Sequence, residues 1–168
     1  MIRITIFATL LVTAMGASAQ VGVKGYSLPL DLADEAAREA VRSCEASGFR
    51  VSAAVVDTSG AVKVLLKGDH STVHTRDSSF RKAYTTVTMG PIFKFDTTSQ
   101  FVERLKANPS APALASIPDI LVLAGGVAIR ARGEIVAALG VGGAPGGDKD
   151  EACALAGVAK IMDRLPSN

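Results

Sequence analysis

The chain predicts an α+β domain, an antiparallel sheet built from two hairpins and covered by helices. Three observations carry that reading. Valine- and leucine-rich runs come in two pairs, at 50–67 and 120–141, and each pair is joined by a short polar turn. Stretches with apolar residues at helical spacing lie before, between and after the pairs. The resulting order of helix, hairpin, helices, hairpin, helix lacks the strand and helix alternation of a parallel sheet, and no internal repeat is present.

Asp31 is placed to cap a first helix running to about Ser47, with Leu32, Ala36, Ala40, Val41 and Cys44 as its apolar stripe and Gly48 as its stop. Arg50 to Val56 and Ala61 to Lys67 form the first hairpin around Asp57, Thr58, Ser59 and Gly60. A polar loop with His70 and His74 leads into a helix from about Thr75 to Met89, with Phe80, Ala83, Tyr84 and Val87 as its core stripe and Gly90 and Pro91 as its stop. Thr97 and Gln100 resemble a capping box for a short helix through Leu105, and Pro109, Pro112 and Pro118 then break the chain into a loop with at most one helical turn. Ile120 to Ala131 and Glu134 to Val141 make the second hairpin. Asp148 and Glu151 form a D-x-x-E box opening a last helix with Leu155, Val158, Ile161, Met162 and Leu165 on its apolar side.

Residues 1–19 read as a secretory signal peptide, with Arg3 before an apolar run from Ile4 to Met15 and an A-x-A site at Ala17, Ser18 and Ala19. Cleavage is expected between Ala19 and Gln20, giving a periplasmic or secreted protein; an uncleaved anchor is the alternative. Residues 20–29 then form a flexible N-terminal segment and 30–168 a single domain. Removing 1–19 from 168 residues leaves 149, enough for one core that buries roughly 70% of the unfolded surface. Seventeen basic and sixteen acidic side chains remain, with no run of five of either sign, which excludes the electrostatic footprint of a nucleic-acid binder. Small molecules and protein partners remain, the latter including a membrane-bound or periplasmic protein.

The glycine-dense stretch from Gly140 to Gly147 looks like a phosphate cradle but lacks its residues. A dinucleotide fingerprint needs glycine where Pro145 stands, and a P-loop needs lysine where Asp148 stands. The glycines of the last two strands instead mark close packing. Cys44 and Cys153 lie on the first and last helices; two buried thiols are the expectation, with a bridge if those helices pack together.

On a wheel of 100° per residue, His74, Ser78, Arg81, Lys82, Thr85 and Met89 share an arc of about 100°, opposite Phe80, Tyr84 and Val87. This polar face suits an anionic, partly apolar ligand or a metal, and a solvated helix surface is the bland alternative. The run Tyr84, Thr85, Thr86, Val87, Thr88 is rich in β-branched residues that helices disfavour, so either packing or hydroxyl ligation must favour it. His70 and His74, four apart, would both reach a metal on a helix, with Asp69 or Asp77 beside them, although the pattern lacks the glutamate of H-E-x-x-H. Asp148, Asp150 and Glu151 could hold a cation, but capping accounts for them. No G-x-S-x-G elbow is present and no convincing general base, which disfavours hydrolase chemistry.

Three stretches, AAVVDTSGAVKVLLKGD, DSSFRKAYTTV and LAGGVAIRARGEIVAALGVGGAPGGDKDEACALAG, resemble the GlcG/HbpS family of small haem-binding proteins, which is related to the C-terminal domain of PduO-type proteins. The likeness covers about Leu30 to Leu165. It implies a helix and sheet sandwich that assembles into a homo-oligomer and binds haem near its surface. In some members a threonine oxygen holds the iron, which falls here on Thr85, while PduO-type domains use histidine, which points to His74. Arg81 or Lys82 would pair with the propionates. The resemblance implies an exported protein that captures, carries or senses haem; a haem-degrading or small-molecule enzyme in the same pocket, or a non-catalytic oligomeric accessory module, are the alternatives.

Overall fold

A computed structural model describes residues 25–167. Helix α1 (Leu30–Ala46), strands β1 (Ser52–Asp57) and β2 (Val62–Lys67), helices α2 (Thr75–Phe93), α3 (Thr98–Leu105) and α4 (Ala111–Ala115), strands β3 (Gly126–Ala131) and β4 (Glu134–Gly142) and helix α5 (Gly147–Ile161) follow in order, ending in a 3-10 turn at Met162–Arg164. The strands form one antiparallel sheet in the order β2-β1-β4-β3. The two hairpins therefore meet through their inner strands, Ala54 opposite Gly140 and Val55 opposite Leu139.

Alternation along the strands sorts the core into two layers. Ala53, Val55, Val127, Ile129, Leu139 and Val141 face α1 and α5, where Ala36, Ala37, Ala40, Ala154 and Val158 pack. On the opposite face Val56, Ala128, Ile135 and Ala138 meet Ala83 and Val87 of α2. Between Ile129 and Arg130 the register slips by one residue of β4, which turns Ile135 and Ala138 to the same face. Leu28 is 1% exposed and belongs to the α1 and α5 layer, so the chain is packed just before the first helix; residues 20–24 of the segment expected to be flexible lie outside the described residues.

Glycine decides how near α2 comes to the sheet. A Cβ on Gly140 would run into the Ser79 carbonyl oxygen, one on Gly126 would lie 2.5 Å from the Lys82 carbonyl oxygen and 2.5 Å from Thr86 Oγ1, and one on Gly142 would strike Ser78 Oγ. The helix backbone rests directly on the strands, as the sequence glycines predicted. The same device closes α1 on α5, where Gly157 faces the Ala36 carbonyl oxygen. There Cys44 and Cys153 form a disulfide with Cα atoms 5.5 Å apart, which overturns the expectation of two free thiols: residues this small bring the two helices within bridging distance.

Several boundaries differ from the sequence reading. Helix α1 begins at Leu30, so Asp31 lies in its first turn and caps nothing. Helix α2 continues through Gly90 and Pro91 to Phe93, ending where Lys94 turns left-handed (φ 56°) and the Phe95 amide reaches the Gly90 carbonyl. Helix α5 starts after Gly146; no side chain caps it, and Glu151 bonds elsewhere. Thr97 does cap α3, accepting from the Gln100 amide. Strand β3 begins only at Gly126, leaving 120–125 as irregular chain. No helix among the described residues is long and apolar enough to cross a membrane. The leader expected at 1–19 lies outside the described residues.

Because the bridge joins positions 109 residues apart, it removes much chain entropy from the unfolded state. Replacing Cys44 and Cys153 by alanine should lower unfolding stability by about 2–5 kcal/mol, read by denaturant unfolding as a lower midpoint with a steeper slope, because the unfolded chain without the bridge exposes more surface.

Candidate functional site

Helix α2 is enclosed on more sides than its wheel suggests, because the sheet lies under one face and the chain at 120–122 crosses another. The side chains grouped by the wheel separate into two places. His74 and Lys82 border an open cleft of about 200 Å³, shared with Ser78, Leu123, Ala144, Gly147 and Asp150. Arg81 and Thr85 lie beneath residues 120 and 121. Eleven residues at 1.5 Å per residue put His74 and Thr85 about 16 Å apart along the helix.

His74 is the N-terminal flanking residue of α2 and is exposed. Its Nδ1 is 3.1 Å from Thr72 Oγ1; with the proton on Nδ1, the lone pair of Nε2 is free for a metal. Val73, 91% exposed, and Leu123, 55% exposed, add apolar surface next to it. His70 stands in a left-handed turn (φ 61°) outside the helix, so the helical pair of histidines expected for a metal does not form. Among the described residues no group of three or more His, Cys, Asp or Glu could hold a metal ion.

Lys82 is not on a solvated face. It is 4% exposed and its Nζ lies 2.6 Å from Asp150 Oδ2, also buried. Asp150 Oδ1 accepts from the Ala144 amide at 2.9 Å, so one carboxylate ties α2, the loop after β4 and the start of α5 together. Burial pushes the Asp150 pKa above the ordinary carboxylate value, against the opposite pull of the Lys82 ammonium and of the Ala144 and Gly143 amides. A raised folded-state pKa gives stability that is full below the ordinary value and is lost as pH rises through the raised one. The pair holds geometry rather than adding net stability, and Lys82 is committed to it.

Thr85 is fully buried, not exposed as the wheel placed it. Its hydroxyl donates to the Arg81 carbonyl oxygen at 2.8 Å and accepts from the Leu121 amide at 2.8 Å. Thr86 and Thr88 likewise donate to the carbonyls of Lys82 and Tyr84, which is how a β-branched run persists in this helix. Arg81 is half-buried; Nη2 donates to the Ile120 carbonyl oxygen at 2.9 Å, and Nη1 lies 3.9 Å from Asp77.

Sequence reading missed the partners rather than the positions. Asp150 was weighed as a cation ligand, and Glu151 as a capping residue. Glu151 in fact accepts from the Ser99 amide, the Ser99 hydroxyl and the Gly125 amide. Two adjacent carboxylates in the first turns of an otherwise small-residue helix were the available signal.

The architecture is a small helix and sheet sandwich with an open cleft at the N-terminal end of its central helix. The family model described as "Haem degrading protein HbpS-like" matches residues 28–159, and the chain belongs to that family. It is similar to a solved double mutant of Streptomyces reticuli HbpS, with 41% identity over 90% of this chain and 97% of the other, TM-score 0.74. The Klebsiella pneumoniae protein ORFY (18% identity, 87% and 99% covered, TM-score 0.72) and a PduOC:haem complex (20% identity, 81% and 96% covered, TM-score 0.72) share the fold. A search of curated proteins finds no match.

Replacing Lys82 with methionine strands a buried carboxylate and should cost about 3–5 kcal/mol of stability. That deficit should shrink as pH falls and Asp150 takes a proton, and Lys82→Met combined with Asp150→Leu should recover most of it, both read by urea denaturation.

Proposed function

We propose that this protein binds haem on α2 and acts outside the cytoplasm to capture, carry or sense it. Its family and the solved haem complex of a protein with the same fold support the ligand. The single observation that carries the site is His74: an exposed imidazole, oriented through Thr72 and bordered by Val73 and Leu123. A neutral imidazole is a stronger iron donor than a hydroxyl. Thr85, the alternative donor, is fully buried, with its proton on the Arg81 carbonyl and one lone pair on the Leu121 amide, and reaches a metal only if the chain over it moves. Arg81 is the cation left for a propionate, since Lys82 is held by Asp150.

The cleft beside His74, about 200 Å³, is smaller than the 300 to 1,000 Å³ of an enclosing ligand pocket. A porphyrin there lies across the surface, which supports loose binding suited to transfer and a second copy of the chain covering part of it. Export is supported by the apolar leader with its A-x-A site and by a disulfide, a bond that persists in oxidising compartments. The family description names haem degradation, and that favours an enzyme as the second reading.

Hemin added to the mature protein should produce a shifted Soret band. His74→Ala should weaken binding at least about tenfold, the scale seen when ligand support at a metal site is lost, whereas Thr85→Ala should leave the first binding event nearly intact. No spectral change at micromolar hemin would sink the haem reading. Catalytic loss of the band with a defined product, on adding reductant or peroxide, would move the function to the enzyme class.

A further inference from the structure

We infer that the outer edge of β2 docks an extended, acidic segment of another protein, which adds to the sheet as a further strand. The sheet has two outer edges, β3 and β2, and the fold treats them differently. Along β3 the chain at 96 and 97 closes the edge: the Ala128 amide donates to the Asp96 carbonyl at 2.7 Å, and Thr97 bridges to Val127. Nothing comparable lies along β2 among the described residues. The Gly68 amide donates inward to the Val51 carbonyl, and Lys67 and Leu65 stand opposite Ser52 and Ala54. Alternation along an antiparallel strand then directs the amides and carbonyls of Leu65 and Lys67 away from β1.

A groove of about 470 Å³ runs between this edge and α1, lined by Arg38, Val41 and Arg42 on the helix and by Leu65, Leu66 and Lys67 on the strand. It is larger than the cleft beside His74 and falls within the range of a ligand site. An added strand uses both walls, its main chain on the edge of β2 and its alternate side chains against the helix. Charge selects the segment. Lys63 and Lys67 flank Leu65, and among the described residues no carboxylate pairs with either; Lys67 Nζ meets the Ser71 carbonyl instead. Arg38 and Arg42 pair with Asp34 and Glu39 of their own helix, on side chains 69% and 74% exposed, where such pairs are weak and readily exchanged. Glu45 and Asp69 line the groove at its Gly68 end, so an occupant's carboxylates belong at the other end, with the arginines. A second copy fits poorly: β2 paired antiparallel with itself about Leu65 sets Lys63 opposite Lys67 twice, and like charges directly opposite destabilise.

Amide hydrogen exchange of the mature protein, read by NMR at Leu65 and Lys67, tests the edge. The probe is a blocked peptide of alternating valine and glutamate, matching the 6 residues of β2. At millimolar concentration it should slow both amides at least about fivefold, the scale of one net hydrogen bond, leave the amides of β1 and β4 unchanged, and act more weakly as salt is raised. Leu65→Pro removes an outward amide that no ladder bond uses and should abolish the slowing at Lys67 with β1 still protected. Arg42→Glu should raise the peptide concentration for half effect about two- to fivefold. Equal slowing by a peptide with lysine in place of glutamate overturns the acidic partner, slowing by one methylated on all its backbone nitrogens overturns strand addition, and no slowing by the acidic peptide overturns the site. Slow exchange at Leu65 and Lys67 before any peptide is added overturns it as well, marking a second copy if it grows with protein concentration and another part of this chain if it does not.

Discussion

The seating of α2 on the sheet is the constraint from which the rest of this structure follows. Glycine at 126, 140 and 142 lets the helix backbone approach where any Cβ would collide with the Lys82 carbonyl, the Ser79 carbonyl or the Ser78 hydroxyl. Such an approach leaves no room for large apolar side chains on that face. Serine, alanine and threonine fill it, and their hydroxyls satisfy themselves on the helix's own carbonyls. Lys82, emerging at the margin of that contact, cannot reach water and must find a carboxylate. Asp150 supplies it from the first turn of α5, where the helix N-terminus favours negative charge.

From this point the polar interior organises the loops. Asp150 fixes the chain after β4 through the Ala144 amide, and Glu151 next to it fixes the start of α3 through Ser99 and the approach to β3 through Gly125. Thr98 completes the link by accepting from Gly126. Two consecutive acidic residues therefore tie four segments together, while the disulfide closes the opposite layer. Among the described residues no buried side-chain polar atom lacks a partner, which is the condition under which such a network specifies one arrangement instead of costing stability.

Most of the fold was legible in the sequence. Period-two strands, their turns and the glycines between Leu121 and Gly147 led to the sheet and its helices, because each is a local signal. The helix α2 wheel failed for a specific reason: it ranks faces by polarity, and Thr85 and Lys82 are polar residues buried with partners from distant segments, at positions 121 and 150. No local pattern announces a carbonyl at 120 or a carboxylate at 150. The bridge between Cys44 and Cys153 was open for the same reason, since it depends on how closely Gly157 and the alanines of α1 let two helices approach.

The polar face of α2 therefore divides into two environments, which differ in accessibility as much as in chemistry. The imidazole at the start of α2 faces solvent and carries a nitrogen donor; the hydroxyl three turns later is a weaker, harder donor behind backbone. About 16 Å of helix separates them, so one metal centre cannot take both from a single copy of the chain. The Thr85 hydroxyl, by contrast, meets only the Arg81 carbonyl and the Leu121 amide and has no access to solvent. Capture and retention pull a binding site in opposite directions, toward exposure and toward enclosure. Helix α2 offers both surroundings, an exposed imidazole at its start and an enclosed hydroxyl three turns on.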